Sequence, residues 1–272
     1  MPDITKPKSL KEYNTSVLPR LQELCEPLKL FDISNFAYGK ITKDQKFFRV
    51  GTHERYTELF FKQNFYNQVD AYRGLLHPDS FAEEKRTLFF LWNLHGPGGT
   101  MRMSVDMWNG ISFYQTTEDY IETWAFGGSL EDTGLTEFYL NNLDILKKFF
   151  TYFKSAAKDM IDITDKTKTI DIAFHDKAQN PYRADPQKVL EFNKKILTKK
   201  YCLSIGQKEF SLSLREVECL LYKSQGLTAK HIARKCDISP RTVETHFNKI
   251  LFKSGLETMN QLLYVCKEEG LF

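Results

Sequence analysis

The chain has 272 residues, of which 42% are hydrophobic, 14% aromatic and 27% charged, with a formal net charge of +3. That length suits one large or two ordinary domains, and the apolar fraction supports a packed core, which excludes wholesale disorder. No run nears the roughly 20 apolar residues of a membrane helix, Met1–Lys6 lacks the apolar stretch of a signal peptide, and five scattered cysteines without a CxxC pair read as reduced, mostly buried thiols in a cytosolic protein.

The charge is uneven. Residues 186–272 hold 15 Lys and Arg against 9 Asp and Glu, a balance of +6, which leaves −3 for residues 1–185. A basic C-terminal part on an acidic N-terminal part is the pattern of a chain whose end meets a polyanion, and it equally fits two ordinary solvated surfaces.

In chain order, Leu10–Leu30 carries apolar residues at helical spacing, with Pro19 and Pro27 expected to break or bound the helix. Phe36–Ile41 and Phe47–Val50 flank the polar turn Thr42–Gln45 and predict a hairpin. Thr52 is placed to cap a helix running through Phe65, with Tyr56, Leu59 and Phe60 on one face. Leu88–Leu94 reads as a strand, and His95–Gly99 as a turn. Met101–Trp108 alternates Met101, Met103, Val105 and Met107 with polar residues, predicting a further strand. Asn109-Gly110 is then a hairpin signal leading into Ile111–Gln115. Tyr120–Phe126 is the last strand, and Leu135–Ile161 one long helix.

Residues 1–165 therefore read as helices and an antiparallel sheet, an α+β domain built as an α-β-α sandwich. Thr164–Lys188 is mostly polar around a short apolar stretch, Ile170–Phe174. The expected division is a sensor domain over 1–165, a linker over 166–205 and an all-α domain over 206–272.

From Leu212 four helices follow. Leu214, Val217, Leu220 and Leu221 line the first; Thr228 caps the second, which contains Ile232 and Ala233. Ser239 caps the third with Pro240 in its first turn, and Gly255 ends it. Met259–Glu268 is the fourth. The turn Asp237–Pro240 joining the second and third helices has the length of a helix-turn-helix. Off the core face of the third helix lie Arg241, Thr242, Glu244, Thr245, Asn248, Lys249 and Lys253. Asn can read adenine, Thr can touch a thymine methyl, Glu can accept from cytosine, and lysines suit phosphates. A plain helical bundle with a solvated polar face fits the same pattern.

The residues Leu212–Glu218, Gly226, Lys230, Ile232-Ala233, Ile238–His246, Ile250, Lys253 and Gly255 resemble the LuxR-type DNA-binding domain. The resemblance implies double-stranded DNA as partner, a third helix in the major groove and a dimer joined through the fourth helix. Carried over, Glu244, Thr245 and Asn248 match base-facing positions; Lys230, Arg241, Lys249 and Lys253 match backbone-contacting ones. Arg215, Glu216 and Glu218 match structural polar positions. His231 and Ser254 depart from the usual Glu and Leu.

Residues 1–165 resemble, more weakly, the autoinducer-binding domain of quorum-sensing regulators of this type. Tyr56 and Phe60 stand where that family has a spaced Trp and Tyr, and Asp70 stands for the acidic residue that holds the ligand amide. Gly110 matches a family Gly. The resemblance implies a small-molecule signal of the acyl-homoserine lactone kind. Read as residues alone, an apolar cavity with few polar anchors suits a small amphiphile, with Trp92 and Trp108 as its walls. The alternative is an orphan sensor that only dimerises or meets a protein, its aromatics being ordinary core. No catalytic residue, cofactor or metal site is expected: there is no P-loop and no GxSxG elbow, and the six histidines are isolated.

Overall fold

The computed structural model describes residues 9–67, 81, 86–92, 97–174, 186–196 and 200–272. The chain divides into two compact units, one up to Arg183 and one from Ala184.

The first unit is built on a six-stranded, wholly antiparallel sheet of strands β1 (Asn35–Thr42), β2 (Lys46–Gly51), β3 (Arg86–Leu91), β4 (Trp108–Thr116), β5 (Tyr120–Gly128) and β6 (Ile170–Asp171), in the order β3-β4-β5-β1-β2-β6. Side chains alternate between the faces with the period of two that a strand imposes. On one face Phe36, Tyr38, Phe48, Phe113, Trp124 and Phe126 pack against α1 (Leu10–Leu24), α4 (Leu135–Asn141) and α5 (Leu143–Ala156). Trp124 is fully buried, stacked on Phe150 with ring centroids 4.4 Å apart. On the other face Ile41, Phe47, Tyr114 and Ile121 meet Tyr56 and Phe60 of α2 (Glu54–Lys62) and Met101 of α3 (Pro97–Met103). Helices thus cover both faces, as an α-β-α sandwich requires.

Buried polar groups tie the layers together. Asn14 of α1 donates to the Arg49 carbonyl of β2 at 2.7 Å, and the Tyr13 hydroxyl donates to the Met160 carbonyl at 2.7 Å. Glu122, 4% exposed, accepts from the Tyr38 hydroxyl at 2.8 Å and from Lys154 at 3.0 Å. Burial first, and the Glu122 charge second, push the Tyr38 hydroxyl well above its ordinary pKa.

Several expectations are corrected. The first helix runs through Pro19, and Pro27 opens a short 3-10 helix, Glu26–Phe31. The cap of α2 is His53, not Thr52: His53 Nδ1 accepts from the Tyr56 N–H at 3.1 Å, while the Thr52 hydroxyl pairs with the Phe36 backbone. Pro97–Met103, expected to be part turn and part strand, is helix, and the strand begins only at Trp108. The strand-like alternation misled because Met101 and Val105 are buried at i,i+4 spacing as well. Asn109-Gly110 is not a hairpin turn but an irregularity inside β4, with Asn109 at φ 41°. The long helix is two, broken at Asn142.

The span 166–205, expected as linker, carries β6, α6 (Pro186–Ile196) and β7 (Lys200–Ile205). The second unit is accordingly not all-α. β7 pairs antiparallel with β8 (Lys208–Ser213) across a turn with Gly206 at φ +60°, and the four helices follow. These are α7 (Leu214–Ser224), α8 (Ala229–Cys236), α9 (Pro240–Ser254) and α10 (Met259–Glu268). Leu203, Phe210, Leu212, Val217, Leu220, Ile250 and Leu262 form one core cluster, and Cys219, Ile232, Cys236 and Val243 another. Four of the five cysteines are buried and Cys202 is exposed; none is disulfide-bonded.

Candidate DNA-binding surface and candidate ligand site

Each of the helices α7 to α10 starts on a hydroxyl that accepts from a free N–H group of its first turn. Ser213 and Glu216 form a reciprocal capping box on α7, and Thr258 and Gln261 form one on α10. Thr228 accepts from the His231 N–H and Ser239 from the Thr242 N–H. Between α8 and α9 the chain turns at Asp237, φ 52°, and Pro240 then starts α9. Gly255, φ +75°, ends it.

Val243 and Ile250 of α9 are buried, with Phe247 packed against them, which turns the opposite face outward. Arg241, Glu244, Thr245, Asn248 and Lys249 are all exposed there, and Lys230 is exposed on α8. The Thr245 hydroxyl donates to the Arg241 carbonyl at 2.8 Å, so outward it offers a methyl and an acceptor. Two expected contacts are otherwise engaged. Thr242 is half-buried with its hydroxyl 2.8 Å from that of Ser239, within the cap. Lys253 donates to Glu216 at 2.8 and 3.1 Å, which fastens the end of α9 to the start of α7. Sequence reasoning missed Arg234 and Lys235, exposed in the last turn of α8; Arg234 follows Lys230 at i,i+4, a spacing that could have flagged it.

In the first unit, four of the five expected ligand residues come together. Tyr56 and Phe60 are buried on α2, Trp92 directly follows β3, and Trp108 opens β4. Asp70 lies outside the described residues. The Trp92 indole donates to the Ser112 hydroxyl at 2.8 Å, and its ring fills the space that side chains on Gly110 and Gly127 would need. What gathers these aromatics is a residue that the sequence did not single out. Arg102 of α3 places its guanidinium 4.7 Å from the Trp92 ring centroid and 5.7 Å from that of Trp108. Burial lowers its pKa, an effect that the neighbouring Tyr56 and Tyr114 hydroxyls oppose. Its Nε is buried without a hydrogen-bond partner. Nothing in a sequence separates such an arginine from a solvated one.

Among the described residues, no three His, Cys, Asp or Glu side chains gather as a metal site, and no helix is long and apolar enough to cross a membrane.

Residues 210–264 match the family model of bacterial regulatory proteins, luxR family. The C-terminal domain is a LuxR-type helix-turn-helix domain. The chain is 30% identical over 119 residues to the Fimbriae Z protein of Salmonella typhimurium strain LT2, an alignment covering 44% of this chain and 51% of that protein, so the chain spans about half the length of this curated relative. Escherichia coli SdiA aligns over 95% of this chain and 97% of its own, at 14% identity and a TM-score of 0.34. The N-acylhomoserine lactone dependent LuxR family transcription factor CepR2 of Burkholderia cenocepacia aligns over 55% and 92%, at 11% identity and a TM-score of 0.33. Similarity of that order carries neither fold nor ligand from those two structures to this chain.

Proposed function

We propose that this chain is a cytoplasmic, dimeric transcription regulator in which α9 reads DNA in the major groove and the N-terminal unit senses a small molecule. The observation that carries the DNA-binding reading is the outer face of α9. Glu244, Thr245 and Asn248 are exposed on a helix held by a tight turn, within the stretch that matches the luxR family. Arg241 and Lys249 beside them, with Lys230 on α8, supply phosphate contacts. A dimer sets two such helices about 34 Å apart, one turn of DNA. The sensing reading is supported by the convergence of Tyr56, Phe60, Trp92 and Trp108 on one face of the sheet. A signal bound there alters the stability or pairing of the sensor units, and through them the spacing of the two α9 helices.

A thermal melt of the full chain against acyl-homoserine lactones tests the sensing half. A ligand at 100 times its dissociation constant adds about 2.7 kcal/mol, an upward shift of several degrees at this size. No shift with any lactone leaves the N-terminal unit as an orphan dimerisation domain or the sensor of another molecule.

A further inference from the structure

We propose that the N-terminal unit binds a small amphiphile carrying one carboxylate, with the Arg102 guanidinium as the group that receives it. This rests on the sensing reading above and gives the ligand its charge.

Arg102 sits in a cluster made with Tyr56, Trp92, Trp108, Met101 and Tyr114. Burying a cation costs several kcal/mol unless an opposite charge and hydrogen bonds compensate. Two buried carboxylates of this protein follow that rule, Glu122 with Lys154 and Glu216 with Lys253, whereas Arg102 is partly buried. Arg102 has no carboxylate among the described residues; what surrounds it are phenol and indole rings. Ring faces attract a cation without accepting its hydrogen bonds; the Tyr56 hydroxyl accepts one from the guanidinium, and Nε–H has no acceptor. A guanidinium presents its donors in a planar fork that a carboxylate satisfies bidentately. Met101, Val105 and Met107 beside it are apolar and buried, and they suit an alkyl or aryl body attached to that head. His53 helps hold the arrangement by bridging α2 to the segment after α3: its Nε2 lies 3.1 Å from the Val105 carbonyl while its Nδ1 caps α2.

The test is isothermal titration of the full chain with decanoate and with decanamide, which share a chain and differ in the charge of the head, alongside an acyl-homoserine lactone of equal chain length. Each is run on the native sequence, on Arg102→Met and on Arg102→Lys, with folding checked by circular dichroism. The expected result is decanoate binding at least tenfold tighter than decanamide, about 1.4 kcal/mol. Arg102→Met removes that preference, and Arg102→Lys, which keeps the charge but not the fork, retains part of it. Equal or tighter binding of decanamide or the lactone overturns the carboxylate assignment and leaves the sensing reading standing. Binding of none of the three overturns both. Should Arg102→Met fail to fold, the Arg102→Lys titration decides: an unchanged ratio of the two affinities counts against a forked contact.

Discussion

The ammonium of Lys253, on the last turn of α9, lies 2.8 Å from Glu216 Oε1 in the first turn of α7. Glu216 also accepts from the Ser213 backbone N–H at 2.8 Å, so one carboxylate closes a helix cap and anchors the end of the candidate recognition helix. Burial alone would raise its pKa, but hydrogen bonds from Lys253 and Ser213 and the lysine charge outweigh that and hold it below the ordinary value.

Lys253→Ala should therefore destabilise the C-terminal domain, because it strands a carboxylate that is only 4% exposed. The lysine side chain is 40% exposed, which puts the cost between that of a surface pair and a buried one, about 1–3 kcal/mol. Loss of amide hydrogen-exchange protection in α7 and α9 would register it. An unchanged exchange pattern with weakened DNA binding would return Lys253 to the phosphate-contacting set.

The same pair sets an acid limb. A carboxyl whose folded pKa is depressed contributes stability that is fully present above its unfolded pKa, about 4.3, and lost as the pH falls through the lower folded value. Glu216→Gln should flatten the loss of α-helical signal in that window, at the expense of stability at neutral pH. Acid unfolding with the same midpoint and slope in both chains would rule the pair out as its source.

Gly110→Ala tests the frame of the ligand site. A Cβ there would stand 2.5 Å from the Phe126 carbonyl oxygen and clash with the Trp92 ring. Forcing atoms into packed space costs about 1–3 kcal/mol, and Trp92 has to move. Both a lower thermal midpoint and altered tryptophan emission are expected. A substitution silent in both would mean that Trp92 is not held against β4.

Ser239→Ala removes the oxygen that caps α9 at 3.0 Å from the Thr242 N–H. A lost hydroxyl cap costs about 1 kcal/mol, and because it frees the start of α9, DNA affinity should fall along with stability. Affinity falling alone, with the melt unchanged, would point to a direct contact by Ser239 instead.

The four helices α7 to α10 were legible in the sequence because their ends announce themselves chemically, whereas α6 and the β7–β8 hairpin of the same unit were not. Thr228 and Ser239 cap, Pro240 starts α9, and Gly255 stops it in a left-handed conformation open to glycine. Local chemistry decides those boundaries, so reading it locally suffices. In the first unit, long-range packing overrode local signals. Gly110 belongs to a strand because Trp92, far away in sequence, needs its missing Cβ, whereas Asn109-Gly110 alone spells a turn. Met101–Met107 carries both a strand period and a helix period, and contact with α2 and the sheet selected the helix up to Met103. Tyr56, Phe60, Trp92 and Trp108 were visible as aromatics, but the cation among them was not, since burial of Arg102 follows from tertiary packing. The pairing of Lys253 with Glu216 was not visible either, because the two lie 37 residues apart.

The central claim is that the exposed face of α9 reads DNA sequence, and the most direct measurement is a binding titration of the full chain against a duplex enriched by selection and against a scrambled one, over a range of salt. Asn248→Ala and Thr245→Ala should each reduce the preference for the selected duplex by about 1–3 kcal/mol, with the fold intact. Arg241→Ala and Lys249→Ala should weaken both duplexes alike and reduce the salt slope by about one unit each. Undiminished preference in Asn248→Ala and Thr245→Ala, or no duplex bound above the scrambled one, would contradict the account.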